Sequence, residues 1–202
     1  MDPQTDAQPK ESTHQSRPAA VALMQRIEAT EALDRLSDVV GAASAPVGGK
    51  AADYWLRGGP AGHALHPPLT DLPIGFWTST LVLDGLELLT GRSRGTQRAA
   101  DLLLGLGIAS ALPTAVTGLS EWRRLGPRDA RVGSLHATLN AGALVLNVLS
   151  TVARRRGART TGIALSVAAA TATSAGGYLG GHLAAVRHAA SRHPAFTEGD
   201  PA

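Results

Sequence analysis

The side chains best placed to do chemistry in this sequence are histidines. His63 and His66 stand just ahead of the first long apolar run, and His136 and His182 lie inside later ones; Asp71 and Glu121 are nearby carboxylates. A neutral imidazole is a good ligand for iron and other transition metals. The chain has no cysteine, which excludes disulfides, thiolate zinc sites and cysteine-held iron–sulfur clusters within it. Two forms of metal chemistry follow. One is a haem b held by two histidines from different helices, pairing His136 or His182 with each other or with His63 or His66. The other is a non-haem site built from His63, His66, His136 and Glu121. The plainer alternative is that these histidines hydrogen-bond within a structural bundle.

The elements that must position them are helices in a membrane. A mean hydropathy of +0.01 averages a polar first third and a region, 72–186, that holds nearly all the apolar runs. Four of these approach or reach the ~20 residues needed to cross ~30 Å of hydrocarbon: Leu72–Leu89, Ala99–Leu119, Val132–Ala153 and Thr161–Val186. The second and fourth are almost free of charge, whereas a helix of a soluble bundle keeps a charged face. Pro67, Pro68 and Pro73 predict an extended approach that becomes helical near Leu72, because proline is resisted inside helices. Residues 20–40 predict a separate amphipathic helix whose stripe is interrupted at Thr30 and Glu31, and Tyr54-Trp55-Leu56 reads as an interfacial anchor. The expected architecture is all-α: a tail 1–18, an amphipathic helix and linker 19–60, a four-helix transmembrane bundle 61–188, and a tail 189–202, both tails disordered. No secretory signal is read in Met1–Ala20, so the first span is expected to direct insertion. Arginines fill all three connectors, and the positive-inside rule picks no orientation. With aromatics at 3% and no basic face, nucleic acid is not an expected partner; the bilayer is.

Four crossings bring the start of span one, the end of two, the start of three and the end of four to one side, here called A. His136 and His182 each sit four residues from that boundary, about 6 Å inside it. His66 precedes span one by six residues, and its prolines let the chain fold back over the mouth. His66, His136 and His182 are therefore expected to approach one another. On span one, Asp84 and Glu87 are expected to pair with Arg92 and Arg94 toward the opposite side, B. Gly176/Gly180 and Gly177/Gly181 form two overlapping small-xxx-small motifs suited to close helix packing.

The block His63-x-x-His66-Pro67, Thr70-Asp71-Leu72-Pro73-Ile74-Gly75-x-Trp77 and Asp84 resembles the opening of the bacterial membrane proteins catalogued as domain of unknown function 2231. Gly118-Leu119-Ser120-Glu121-Trp122, His136 with Asn140, and Leu179-Gly180-Gly181-His182-Leu183 resemble later blocks of that family. The resemblance covers about Met24 to Arg187. It implies a multi-pass four-helix domain of the bacterial inner membrane, in some relatives encoded with a Rieske-type domain, which this chain lacks. Ala64 stands where the family commonly has Pro, and Glu121 where it has Asp. The functional expectation is a membrane redox module binding haem b or a transition metal, working with a redox partner protein and not an enzyme on its own. The alternatives are a structural or interaction bundle without cofactor, and a transport subunit. No nucleophile constellation, phosphate loop or zinc signature is present.

Overall fold

The computed structural model describes residues 18–91 and 93–192. The two expected disordered tails fall, apart from Pro18 and residues 189–192, outside the described residues. Seven α-helices follow in order: α1 Ala19–Ala29, α2 Asp34–Ser44, α3 Lys50–Leu56, α4 His66–Thr90, α5 Arg94–Trp122, α6 Pro127–Arg155 and α7 Arg159–Gly181, the last running into a π-turn, His182–Val186. No strand occurs among the described residues; a single antiparallel bridge joins His63 to Arg192.

Four helices, α4 to α7, are long and apolar enough to cross a membrane. Each begins ahead of its expected start. For α4 the reason is visible. Pro67 and Pro68 occupy the first turn, where the missing N–H groups would have had no partner, so the helix starts at His66 instead of near Leu72. Pro73 is inside the helix and deprives the Leu69 carbonyl of its usual donor. The Thr114 hydroxyl of α5 supplies a replacement, 3.1 Å from Leu69 O.

The packing is inverted relative to a soluble bundle. Only 22–28% of the most apolar window of each long helix is buried. In a soluble bundle the large apolar side chains would form the core, yet here Val82, Leu88, Leu89, Leu102, Leu112, Val145 and Val167 all face outward. The interior holds Thr80, Asp84, Ser120, Ser134, Asn147, Ser150 and Ser166. Burying polar side chains while exposing leucines is unfavourable in water and natural in lipid, where small and polar residues bring helices together. This settles the membrane reading against the soluble one.

The bundle is also an internal repeat. Pro73, Trp77, Thr80 and Asp84 are buried in α4; the residues 70 positions on in α6, Ala143, Asn147, Ser150 and Arg154, are buried too. Ala100, Leu104, Gly107, Thr114 and Thr117 are buried in α5; those 62 positions on in α7, Gly162, Ser166, Ala169, Gly176 and Leu179, match them. Equivalent bonds repeat as well: Thr80 donates to Ala100 O at 3.4 Å, and Ser150 to Gly162 O at 2.6 Å. The α4–α5 and α6–α7 hairpins thus have one design, with helix contact more extensive within each hairpin than between them. The two are parallel repeats, since the N-terminal histidines of α4 and α6 meet at the same end.

The N-terminal segment is two helices, not one. The corner falls at Thr30 and Glu31, where the apolar stripe is interrupted, with a 3₁₀ turn Glu31–Leu33 between them. Met24 of α1 buries itself with Val132 and Leu179, so α1 rests on the A end of the second hairpin. Arg131 donates to both carboxylate oxygens of Asp34 and to Glu28 O, fixing α2 to α6. Tyr54 and Trp55 are exposed on α3.

Candidate functional site

His66 is the first residue of α4, and His136 lies in the third turn of α6, 70 positions later. Their ring centroids are 6.0 Å apart and their planes perpendicular. Each ring is fixed in the same way by the other helix of its hairpin. His66 Nδ1 lies 2.9 Å from Thr114 O, and His136 Nδ1 lies 2.7 Å from Gly176 O. A carbonyl only accepts, so each Nδ1 carries its hydrogen, and each neutral ring keeps a lone pair on Nε2.

Glycines one turn beyond those carbonyls make room. A Cβ on Gly118 would stand 2.7 Å from His66 Cε1, and one on Gly180 2.8 Å from His136 Cε1. Asn140 covers the His136 ring. Its Nδ2 donates to His136 O at 2.8 Å and lies 3.3 Å from Nδ1 and 3.5 Å from Nε2, the long end of hydrogen-bond contact with the ring. A Cβ on Gly176 would meet Asn140 at 2.8 Å, so Gly176 and Gly180 serve the histidine cradle.

The other expected site residues are engaged elsewhere. His182 turns toward α1, with Nε2 2.7 Å from Glu28 Oε1. His63 places Nδ1 3.0 Å from Ala64 O and pairs its backbone with Arg192. Glu121 accepts from the Ser191 N–H and hydroxyl at 2.9 and 2.8 Å, which holds residues 191–192 across the bundle mouth. Residues 189–192, expected in a tail, are part of this closure. Among the described residues no three His, Cys, Asp or Glu side chains gather as a metal set. Of the histidines expected to converge, the structure brings His66 and His136 together and docks His182 on the arm.

At the opposite end the repeat places Asp84 and Arg154 in equivalent positions, 18 residues along from the histidines. They form a buried fork: Arg154 Nη1 lies 2.9 Å from Asp84 Oδ1, and Nη2 donates to Oδ2. Arg159 donates to Asp84 at 3.0 Å, to Glu87 at 2.7 Å and to Asp101 at 3.0 Å. The sequence points Asp84 to Arg94, or to Arg92, which lies outside the described residues. Asp84 pairs with the second hairpin instead, because 18 residues is five helical turns and keeps it on the interior face with His66. A sequence signal for this exists in the equal His66–Asp84 and His136–Arg154 spacings. Glu28 as the partner of His182, 154 residues away, has none.

A family model described as predicted membrane protein (DUF2231) matches residues 62–192, the region that carries all four spans and the histidine pair. The chain belongs to this family. In this DUF2231 protein the match begins at Gly62, so the α1–α3 arm lies outside it. No curated protein and no solved structure matches the chain.

Proposed function

We propose that this DUF2231 protein is a multi-pass protein of the bacterial inner membrane in which His66 and His136 would hold a haem b through their Nε2 atoms. The observation that carries this reading is the pair itself: two imidazoles from equivalent helices, Nδ1 committed to carbonyls, Nε2 of His136 met only by Asn140 Nδ2 at 3.5 Å, centroids 6.0 Å apart. A centroid separation of 6.0 Å is of the order that two imidazoles sharing one iron would need.

The donor set favours haem over a bare ion. Two neutral imidazoles without a carboxylate leave zinc or a similar divalent ion short of its usual four ligands and uncompensated in charge. A haem iron brings four nitrogens of its own and needs only two from the protein. Bound there, the group would supply one-electron transfer to a redox partner protein. The chain's own contribution is orientation: Thr114 and Gly176 set the tautomers, and Gly118 and Gly180 let the rings lie against α5 and α7.

A second reading is favoured by the same carbonyl bonds, which staple α4 to α5 and α6 to α7 without any cofactor. A transport role has less support, since the B end is closed by a dense ion network. The test is the absorption spectrum, haem content and metal content of protein purified in mild detergent from haem-replete cells. One haem per chain, with the spectrum of a bis-histidine b-type centre, is expected. Neither haem nor a stoichiometric metal would leave the staple reading.

A further inference from the structure

The second hairpin departs from the first on the outward side of α7, where a groove of about 180 Å³ opens between α4 and α7. On α7 it is lined by Ala170, Thr173, Ser174 and Gly177. The equivalent positions of α5, 62 residues earlier, are Ile108, Ala111, Leu112 and Ala115. Ala170, Ser174 and Gly177 are each smaller than their α5 counterparts, and Thr173 is larger than Ala111 and adds a hydroxyl. That substitution pattern opens the α4–α7 face at the depth where α5 presents isoleucine and leucine.

One polar atom at this groove makes no hydrogen bond among the described residues. Thr173 Oγ1 is buried and unpartnered. Thr80, Thr114, Thr117, Thr138 and Thr151 all return their hydroxyls to the carbonyl four residues back; Thr173 does not. The Trp77 ring forms a wall on the α4 side, with its Nε1 edge turned away from the groove toward Gly107 of α5. A buried hydroxyl ordinarily finds a partner, and more so in hydrocarbon.

We infer that this groove binds the ring of an isoprenoid quinone entering from the bilayer, with a ring carbonyl accepting from the Thr173 hydroxyl and the ring against Trp77. The volume suits a single ring, being close to the ~150 Å³ of a cavity that takes up benzene. Trp77 is 11 residues along α4 from His66, about 16 Å deeper, near the middle of the span. Phospholipid ester carbonyls lie at the interface and do not reach that depth. An acyl chain does, but it carries no acceptor for Thr173. A quinone combines an apolar tail with ring carbonyls that can sit in the bilayer interior. The inference does not rest on the haem reading, and either can fail alone.

The test is titration of the full-length protein in lipid nanodiscs with decylubiquinone, read as tryptophan quenching. Gly177→Leu fills the groove, and a Cβ there meets nothing within 4 Å. Thr173→Val removes the hydroxyl at constant shape. Ala115→Leu makes the equivalent change on α5. Saturable binding is expected, weakened at least roughly tenfold by Gly177→Leu, several-fold by Thr173→Val and not by Ala115→Leu. If Gly177→Leu does not fold, Thr173→Val against Ala115→Leu carries the test. Non-saturating quenching alike in all variants would overturn the inference. Equal displacement by a saturated fatty alcohol would also overturn it and assign the groove to an acyl chain.

Discussion

The two ends of the bundle start from one repeated plan and finish differently. At the A end the duplicated position is histidine in both hairpins, and the two rings meet as like groups about the pseudo-two-fold axis. Eighteen residues further, the duplicated position is Asp84 in one hairpin and Arg154 in the other, and they meet as opposite charges. Identical neutral groups facing one another hold little for themselves across the axis, and each is secured by its own hairpin. Opposite charges secure each other, and once in lipid they bind one hairpin to the other. The B end is therefore a lock between the hairpins, and at the A end each ring is held within its own hairpin.

The largest effect is expected at the lock. Asp84→Leu leaves the buried Arg154 with only Asp101 as counter-charge, and Arg154→Leu leaves the buried Asp84 with only Arg159; either should lower stability, by at most the roughly 3–5 kcal/mol that breaking one half of an isolated buried pair costs. The double Asp84→Leu/Arg154→Leu variant should recover much of that, leaving Arg159 with Glu87 and Asp101. Unfolding in detergent, followed by circular dichroism, measures both. Equal loss in single and double variants would break the contrast between the two ends.

Next come the cradle glycines. Gly118→Ala and Gly180→Ala each force a histidine ring to move and should cost about 1–3 kcal/mol, as overpacking does. Gly75→Ala, where a Cβ meets nothing within 4 Å, is the control and should change little. Thr114→Val sharpens the difference between hairpins. Thr114 stands where the repeat has Gly176, and its hydroxyl serves the carbonyl that Pro73 leaves open. Its loss should cost about 1–2 kcal/mol, and Pro73→Ala should restore stability in that background only. The same detergent unfolding measures each of these variants.

The smallest effect belongs to the arm. The Arg131 guanidinium holds the Asp34 carboxyl below its ordinary value. A carboxylate with a depressed folded-state value contributes stability that is complete above its unfolded value and lost as pH falls through the folded one. Docking of α2 should therefore weaken at acid pH, below the ordinary carboxylate range. Proteolysis between α2 and α3 across that range should reveal it, and Asp34→Asn should abolish the pH dependence.

The four spans are legible in the sequence because their apolar length is set by the bilayer and by little else. The start of α4 is not, because proline reads as a barrier to a helix, whereas positions 67 and 68 are those of a first turn. The repeat is hidden because the two hairpins share few identical residues, among them His66 and His136, Leu69 and Leu139, Gly118 and Gly180. What they share is which positions are buried, and that pattern emerges only when helices are packed. Depth in the membrane correctly joins His66 to His136. It fails to seat His182 beside them because depth does not fix which way a side chain faces, and Glu28 of α1 draws it aside.

Whether the A end presents its lone pairs to a haem is decided by comparing His66→Ala, His136→Ala and His182→Ala proteins, each purified and assayed for cofactor content and absorption spectrum. Either of the first two removals should abolish the bis-histidine spectrum, while His182→Ala should retain it and loosen α1. Cofactor content unchanged in both His66→Ala and His136→Ala, or lost only in His182→Ala, would contradict the assignment of the two rings as ligands.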